Sequence, residues 1–256
     1  MVSSTILLQR QAFLPKSSPL VTFRERRCHC HAEVVQRTLQ KPANKMTIRP
    51  AESDAELRAC ATLRAESFYT YPPERSFAGQ IHQIMKGDEE FEALKEQRDL
   101  RKARQPNENS ACLVAVCDTK GYLRESPSDL RLHTVGQEAV LGTLDLYAIR
   151  AMPGEILIGD CSNPAYLANV CVAKAAQRQG VGRELIHCAV DLANQWRTEA
   201  LFVHILWVND KARMFYESLG FRVDKEESSN TAHYRGHCLE GIEGRGRTLM
   251  LRRDLP

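Results

Sequence analysis

The segment A-Y-L-A-N-V-C-V-A, residues 165–173, reads as a buried strand, and within a few residues it runs into Q-R-Q-G-V-G-R-E-L-I. From there Val181, Leu185, Cys188, Ala189, Leu192 and Trp196 repeat at helical spacing. A strand that turns through two glycines straight into an amphipathic helix lays that helix across a sheet, which confines the chain to a layered α/β fold. At 256 residues and 43% apolar content, the chain can bury a sizeable core.

The flanking segments agree with that layout. Met46 to Pro50 is a short strand, and Ser53 and Glu56 form an S-x-x-E capping box ahead of Leu57, Cys60, Ala61 and Phe68. F-Y-T-Y-P-P-E-R-S-F breaks the pattern at Pro72 and Pro73, leaving Tyr69 and Tyr71 in a loop. The charged stretch from Phe77 to Arg104 reads as a second, solvated helix. S-A-C-L-V-A-V-C-D and E-A-V-L-G-T-L-D-L-Y predict an antiparallel pair, with the polar segment from Thr119 to Gly136 as an insertion between them. L-F-V-H-I-L-W-V predicts a buried strand, and a helix follows from about Asp210 to Leu219, stopped by Gly220. F-R-V and T-L-M-L-R-R supply the final strands. The expected fold class is α/β, a mixed central sheet flanked by helices.

The formal net charge is +3, and much of the positive excess lies before Lys45. The near balance of the remainder argues against a nucleic-acid partner, which calls for a concentrated basic stripe with stacking aromatics. No apolar run reaches the length of a membrane span, so no membrane partner is expected. The nine cysteines are scattered, and those in the domain sit mainly in apolar surroundings, as in A-C-L-V-A-V-C, which points to reduced, buried thiols. Residues 1–45 read as a transit peptide and linker, with cleavage near 28–32, and 46–256 as the folded domain. The leader is rich in Ser, Thr and Arg, has no acidic residue before Glu25, and offers only I-L-L, then Pro15 and Pro19, where a secretory signal needs a long apolar centre. Its Ser/Thr richness favours the chloroplast stroma over the mitochondrion. The C-H-C-H run at Cys28 to His31 has ligand-type residues, but adjacent ligands on one strand close a tetrahedron poorly, and no metal is expected.

Gly180 and Gly182 fall between strand and helix, where backbone N–H groups and the helix dipole attract an anion and a missing side chain lets a diphosphate approach. A glycine pair alone also reads simply as a helix start. G-x-G-x-x-G and G-x-x-x-x-G-K-[ST] are both absent, which removes the dinucleotide-binding and P-loop readings. The second informative segment, H-I-L-W-V-N-D-K-A-R-M-F-Y-E-S-L-G-F, sets Asn209 at a strand end and Ala212 and Tyr216 on one helix face. Taken together, Gln177-Arg178-Gln179-Gly180-Val181-Gly182 and the later Asn209, Ala212, Tyr216 and Gly220-Phe221 resemble the acyl-CoA-binding core of the GCN5-related N-acetyltransferase (GNAT) superfamily. The resemblance covers roughly Thr47 to Arg253 in element order and is specific from Tyr166 to Phe221. It implies the GNAT acyl-CoA N-acyltransferase fold and acetyl-CoA as co-substrate, without a metal. It further implies a cofactor site made of Val170, Cys171 and Val172 along pantetheine, Gln177 to Gly182 with Arg183 at the pyrophosphate, and Asn209, Asp210, Lys211, Ala212 and Tyr216 beside the cofactor arm.

Acetyl transfer needs a neutral amine, a polarised thioester carbonyl and a proton for the leaving thiolate. The resemblance makes Tyr216 the general acid and the Val172 N–H the carbonyl polariser; without the Asn and Gly motifs, Tyr216 reads as a core aromatic packed with Ala212 and Leu219. Five residues before Asn209, where many bacterial ribosomal-protein acetyltransferases carry Glu, this chain has His204. That departure resembles eukaryotic Nα-acetyltransferases acting on methionine-starting chains, in which a strand His and a neighbouring-strand Tyr hold a water; Tyr166, eleven residues before Gln177, matches the Tyr. An imidazole's ordinary pKa near 6.5 suits a base at neutral pH. A satisfied core histidine is the competing reading of His204. Tyr234 resembles the aromatic that flanks the peptide N-terminus in such enzymes, and a surface-packed tyrosine reads equally well. The resulting expectation is a plastid enzyme, similar to plant plastid GNAT enzymes with Nα- and lysine acetyltransferase activity, whose partners are protein N-termini and lysine side chains. The alternatives are a small-amine acetyltransferase for a polyamine or amino acid, and a non-catalytic CoA-binding sensor.

Overall fold

The computed structural model describes residues 37–40, 45–72, 76–103, 109–119, 132–148, 151–152, 155–156, 161–227 and 248–256. Strand β1 (Arg37–Gln40) pairs with β2 (Lys45–Pro50), so part of the segment read from sequence as linker lies at the sheet edge. Helix α1 (Asp54–Phe68) starts with both halves of the Ser53/Glu56 capping box in place. Helix α2 (Ser76–Lys102) packs on α1. It is not solvated all round: Glu90, Phe91 and Leu94 are buried, whereas Phe77, Ile81, Ile84 and Met85 face outward. Strands β3 (Ser110–Asp118) and β5 (Glu138–Tyr147) form the expected antiparallel pair. Short β4 (His133–Val135), inside the segment read as an insertion, pairs with the start of β5. Strands β6 (Ala151–Met152) and β7 (Glu155–Ile156) pair apart from the main sheet. Then follow β8 (Pro164–Val172), α3 (Val181–Gln195), β9 (Ala200–Leu206), α4 (Asp210–Glu217), β10 (Arg222–Glu227) and β11 (Thr248–Asp254).

The main sheet runs β1-β2-β3-β5-β8-β9-β11-β10, with β4 attached to β5. Its parallel pair is β8 with β9; the other neighbours are antiparallel. Alternation along β5 sorts the two faces. A Cβ added at Gly142 would meet Leu185 at 3.0 Å and Val181 at 3.3 Å, so α3 lies on that face, close enough that β5 carries no side chain there. Thr143 and Asp145, one and three residues on, both bond Arg64 of α1 on the other face. Cross-strand register then assigns Tyr166, Ala168, Cys171, Phe202 and His204 to the α1 face, and Leu167, Val172 and Val203 to the α3 face. The fold is the mixed α/β sheet with flanking helices that the sequence predicts.

Cys60, Cys112, Cys117, Cys161, Cys171 and Cys188 are free thiols, all buried, in keeping with their apolar surroundings in the sequence. Burial pushes the Cys117 thiol up to about 11 and the Cys171 thiol up to about 12, from 9.0. A raised folded-state pKa keeps protons on the native protein that the unfolded chain releases. This stabilisation is therefore full below pH 9 and is lost as pH rises from 9 toward 12. Denaturant titrations should show stability falling above pH 9 by about 1.4 kcal/mol per pH unit for each thiol, and Cys171→Ala should flatten that slope. An identical slope in the variant would refute the assignment to Cys171.

Candidate active site

Strands β8 and β9 pair from Pro164↔Ala200 to Leu167↔Val203 and then part. Beyond that point β8 keeps β5 through Cys171 and Val172, while β9 keeps β11 as far as Leu206. The result is a wedge within the sheet, walled by Val170 to Val172 on one side and His204 to Leu206 on the other. A bulge sits where the strands part: β5 advances two residues, Thr143 to Asp145, against three on β8, Ala168 to Cys171. Asn169, at φ +54°, takes up the extra residue.

One end of the wedge is built for negative charge. Val172 leads through a 3₁₀ turn, Lys174–Ala176, to Gln177, whose Nε2 donates to the Val172 carbonyl at 3.1 Å. Arg178, at φ +63°, and Gly180, at φ +86°, are both left-handed, and Gly180 is the N-cap of α3. Glu184 N–H returns to the Gly180 carbonyl at 3.1 Å, so the first-turn N–H groups of Val181, Gly182 and Arg183 precede the helical ladder and suit an anion. A Cβ at Gly182 would lie 3.3 Å from Phe215 and 3.6 Å from Val172, which shows how closely the turn, β8 and α4 converge. Gln179 Nε2 donates to the Ala175 carbonyl at 2.9 Å, and Arg178 and Arg183 are exposed. Val181 is buried under the turn.

Asn209 is the N-cap of α4, its Oδ1 accepting from the Ala212 N–H at 3.0 Å. The oxygen thus holds the helix start, a job the sequence reading had not given it, and Nδ2 takes no part in that bond. Ala212 and Tyr216 are buried on one face of α4, while Asp210 and Lys211 lie exposed in its first turn.

Two of the three candidate catalytic side chains meet directly. His204 Nδ1 and the Tyr166 hydroxyl are 3.2 Å apart across β8 and β9, with ring centroids at 5.7 Å. Both residues are almost wholly buried, beside Phe202 and Met250. Tyr216 is 1% exposed, with Phe215 and Phe221 edge-on at 5.2 and 5.4 Å. Burial first, and the neighbouring Tyr166 second, push its hydroxyl well above the usual tyrosine range. Tyr216 therefore stays protonated at neutral pH, and a thiolate brought into the same desolvated surroundings would also gain proton affinity. Tyr234 and the Cys28 to His31 run lie outside the described residues. Among the described residues no group of His, Cys, Asp and Glu could hold a metal ion, and no helix is long and apolar enough to cross a membrane.

Comparison with known proteins adds independent evidence. The acetyltransferase (GNAT) domain family matches residues 141–223, which span the parting strands, the glycine turn and α4. The chloroplastic GCN5-related N-acetyltransferase 7 of Arabidopsis thaliana is 33% identical over 198 residues, covering 73% of this chain and 71% of the relative. The chain belongs to the GCN5-related N-acetyltransferase family. A second Arabidopsis thaliana member, the chloroplastic GCN5-related N-acetyltransferase 6, is 28% identical over 193 residues, 70% of this chain and 62% of that relative. Among solved structures, the PaiA N-acetyltransferase of Thermoplasma acidophilum in complex with coenzyme A has a TM-score of 0.49 at 13% identity, covering 82% of this chain and 99% of its own. A GCN5-related N-acetyltransferase from Kribbella flavida has a TM-score of 0.46 at 21% identity, covering 82% and 98%. This GNAT chain is an acetyl-CoA-dependent N-acetyltransferase.

The sequence reading missed a polar group beneath the bulge. Arg64, fully buried, reaches Asp145 with both guanidinium ends, at 2.7 and 2.8 Å, and Asn169 Nδ2 donates to the same carboxylate at 2.8 Å. The signal was present: Arg64 falls four residues after Cys60 on the apolar helix face, and Asp145 interrupts the apolar run of β5. The glycine turn yields a test. Gly180→Ala forces an L side chain into left-handed backbone at a cost of about 1–2 kcal/mol. Steady-state kinetics should show a raised KM for acetyl-CoA with the acceptor KM unchanged; equal KM values for acetyl-CoA would show that the turn does not seat the cofactor.

Proposed function

We propose that this GNAT enzyme acetylates protein N-terminal α-amino groups, with lysine ε-amino groups as a second acceptor class, in the plastid stroma. The reading rests on one observation above the others, the Tyr166–His204 pair at 3.2 Å. An amine that arrives as ammonium must lose a proton before it attacks, and the two groups at the closed end of the wedge are a phenol on β8 and an imidazole on β9. His204, aligned by Tyr166, accepts that proton through a water. The amine nitrogen then bonds to the thioester carbon while the carbonyl oxygen accepts a hydrogen bond from the Val172 N–H; the C–S bond breaks as Tyr216 gives its proton to sulfur, and the second nitrogen proton passes through water to the Tyr216 phenolate, leaving amide and free thiol. In the same reading the edge of Val170, Cys171 and Val172 that β9 leaves open runs along pantetheine. Gln177, Arg178, Gln179, Gly180, Val181, Gly182 and Arg183 surround the pyrophosphate, and Asn209, Asp210, Lys211 and Ala212 flank the cofactor arm. The plastid location draws support from the Ser/Thr-rich leader and from the two chloroplastic relatives.

Incubating residues 32–256 with acetyl-CoA and a library of unmodified peptides, some with internal lysines, and mapping acetyl groups by mass spectrometry tests the acceptor class. Acetylated peptide N-termini, and a loss of about 10²–10⁴-fold in rate for Tyr216→Phe, are expected. Acetyl-CoA binding without any modified peptide would instead favour a small amine or a sensor role. In a second experiment, His204→Gln should remove the loss of rate on the acid side of the pH profile together with most of the rate itself. Full activity in that variant across the profile would exclude His204 as the base.

A further inference from the structure

We infer that Arg64 and Asp145 are positioning residues which, through Asn169, set the register of the cofactor-facing edge of β8. The bulge makes this register a physical question. Along a strand, successive residues turn their N–H and C=O groups to opposite edges and their side chains to opposite faces. One extra residue between Ala168 and Cys171 exchanges the two sets: Ala173 N–H bonds the Leu141 carbonyl of β5, so the backbone groups of Val172 turn toward the wedge, where in an unbulged strand they would face β5.

The extra residue is held by chemistry that comes from α1. Asn169 takes φ +54°, which L residues adopt only when something stabilises it, and Asn does so more readily than most. Its side-chain amide is fixed by Asp145 Oδ2 at 2.8 Å. Asp145 is in turn gripped by the guanidinium of Arg64, and Tyr147 donates to the same Oδ2 at 3.2 Å. Arg64 is itself anchored by Thr143 Oγ1 at 3.0 Å and by Cys112 Sγ at 3.3 Å, with Glu90 of α2 at 3.6 Å. Arg64 and Asp145 are fully buried, so no water competes for these bonds, and each group's position is dictated by the others. None of these side chains is assigned a contact with substrate. Their effect passes through the backbone to the N–H of Val172.

The inference rests on the reading of the β8 edge as the cofactor strand, and the test separates the two. Coenzyme A binding to the purified protein is measured by isothermal calorimetry, which returns the dissociation constant and the fraction of binding-competent molecules. Asn169→Gly keeps access to φ above zero while deleting the bond to Asp145; Arg64→Lys keeps the charge while losing the fork. For Asn169→Gly, the dissociation constant for coenzyme A and the KM for acetyl-CoA should both rise about tenfold, with the acceptor KM and the competent fraction unchanged. Arg64→Lys should move the same two constants in the same direction; should it not fold, Asn169→Gly alone decides. A dissociation constant equal to that of the wild type in Asn169→Gly, with only thermal stability lowered, would make the cluster structural and overturn the inference. A wild-type protein that does not bind coenzyme A would overturn the cofactor-strand reading itself.

Discussion

A strand in the middle of a sheet has two edges to satisfy, and β8 gives up one of them. Its pairing with β9 ends at Leu167↔Val203, yet both strands remain in the sheet through their outer partners. Backbone N–H and C=O groups left without a partner are unfavourable unless water or a ligand reaches them. The parting of β8 and β9 thus supplies a linear array of donors and acceptors, and the rest of the architecture arranges chemistry around it. At one end stand the left-handed turn and the start of α3, with α4 closing on them through Phe215; at the other stand Tyr166 and His204.

The two faces of the sheet divide the work. On the α3 side, Gly142 lets the helix approach within contact of the backbone, and Leu144, Leu146, Leu167 and Val203 make an apolar floor. Such a floor resists deformation because a close-packed interior cannot yield without opening voids. The α1 side carries Arg64, Thr143, Asp145 and Tyr147 as well as Tyr166 and His204. A buried ion pair is weak as a source of net stability, because desolvation offsets its attraction, but removing one partner alone costs about 3–5 kcal/mol. A cluster of this kind fixes geometry more than it adds stability.

Much of this plan is readable in the residues. Continuous apolar runs give β3 and β5 their observed limits, bounded by polar residues at Ser110, Asp118 and Glu138. The capping box at Ser53 and Glu56 fixes the start of α1 locally. Helix α2 reads as solvated because charge dominates its composition, while only Glu90, Phe91, Leu94 and a few neighbours turn inward. Strand β4 is three residues long, too short for periodicity to register. The bulge is illegible for a different reason: A-Y-L-A-N-V-C-V reads as one continuous strand, and the kink at Asn169 depends on Asp145 and on Arg64, 81 residues before Asp145 in the chain. The glycine turn, Asn209 and Tyr216 are visible as a pattern. That Tyr166 meets His204 follows from the pairing of β8 with β9, which no local signal encodes, and the bond from the Ala212 N–H to Asn209 Oδ1 is a capping role that the cofactor pattern does not show.

The central claim is that the open edge of β8 and the turn that follows it receive acetyl-CoA. Amide hydrogen exchange with and without coenzyme A, resolved to short peptides, tests this most directly. Exchange should slow across residues 170–172 and 178–183 on binding and remain unchanged in β2 and β3, whose backbone groups are already paired within the sheet. Binding of coenzyme A that left residues 170–172 and 178–183 exchanging at their original rates would contradict the account.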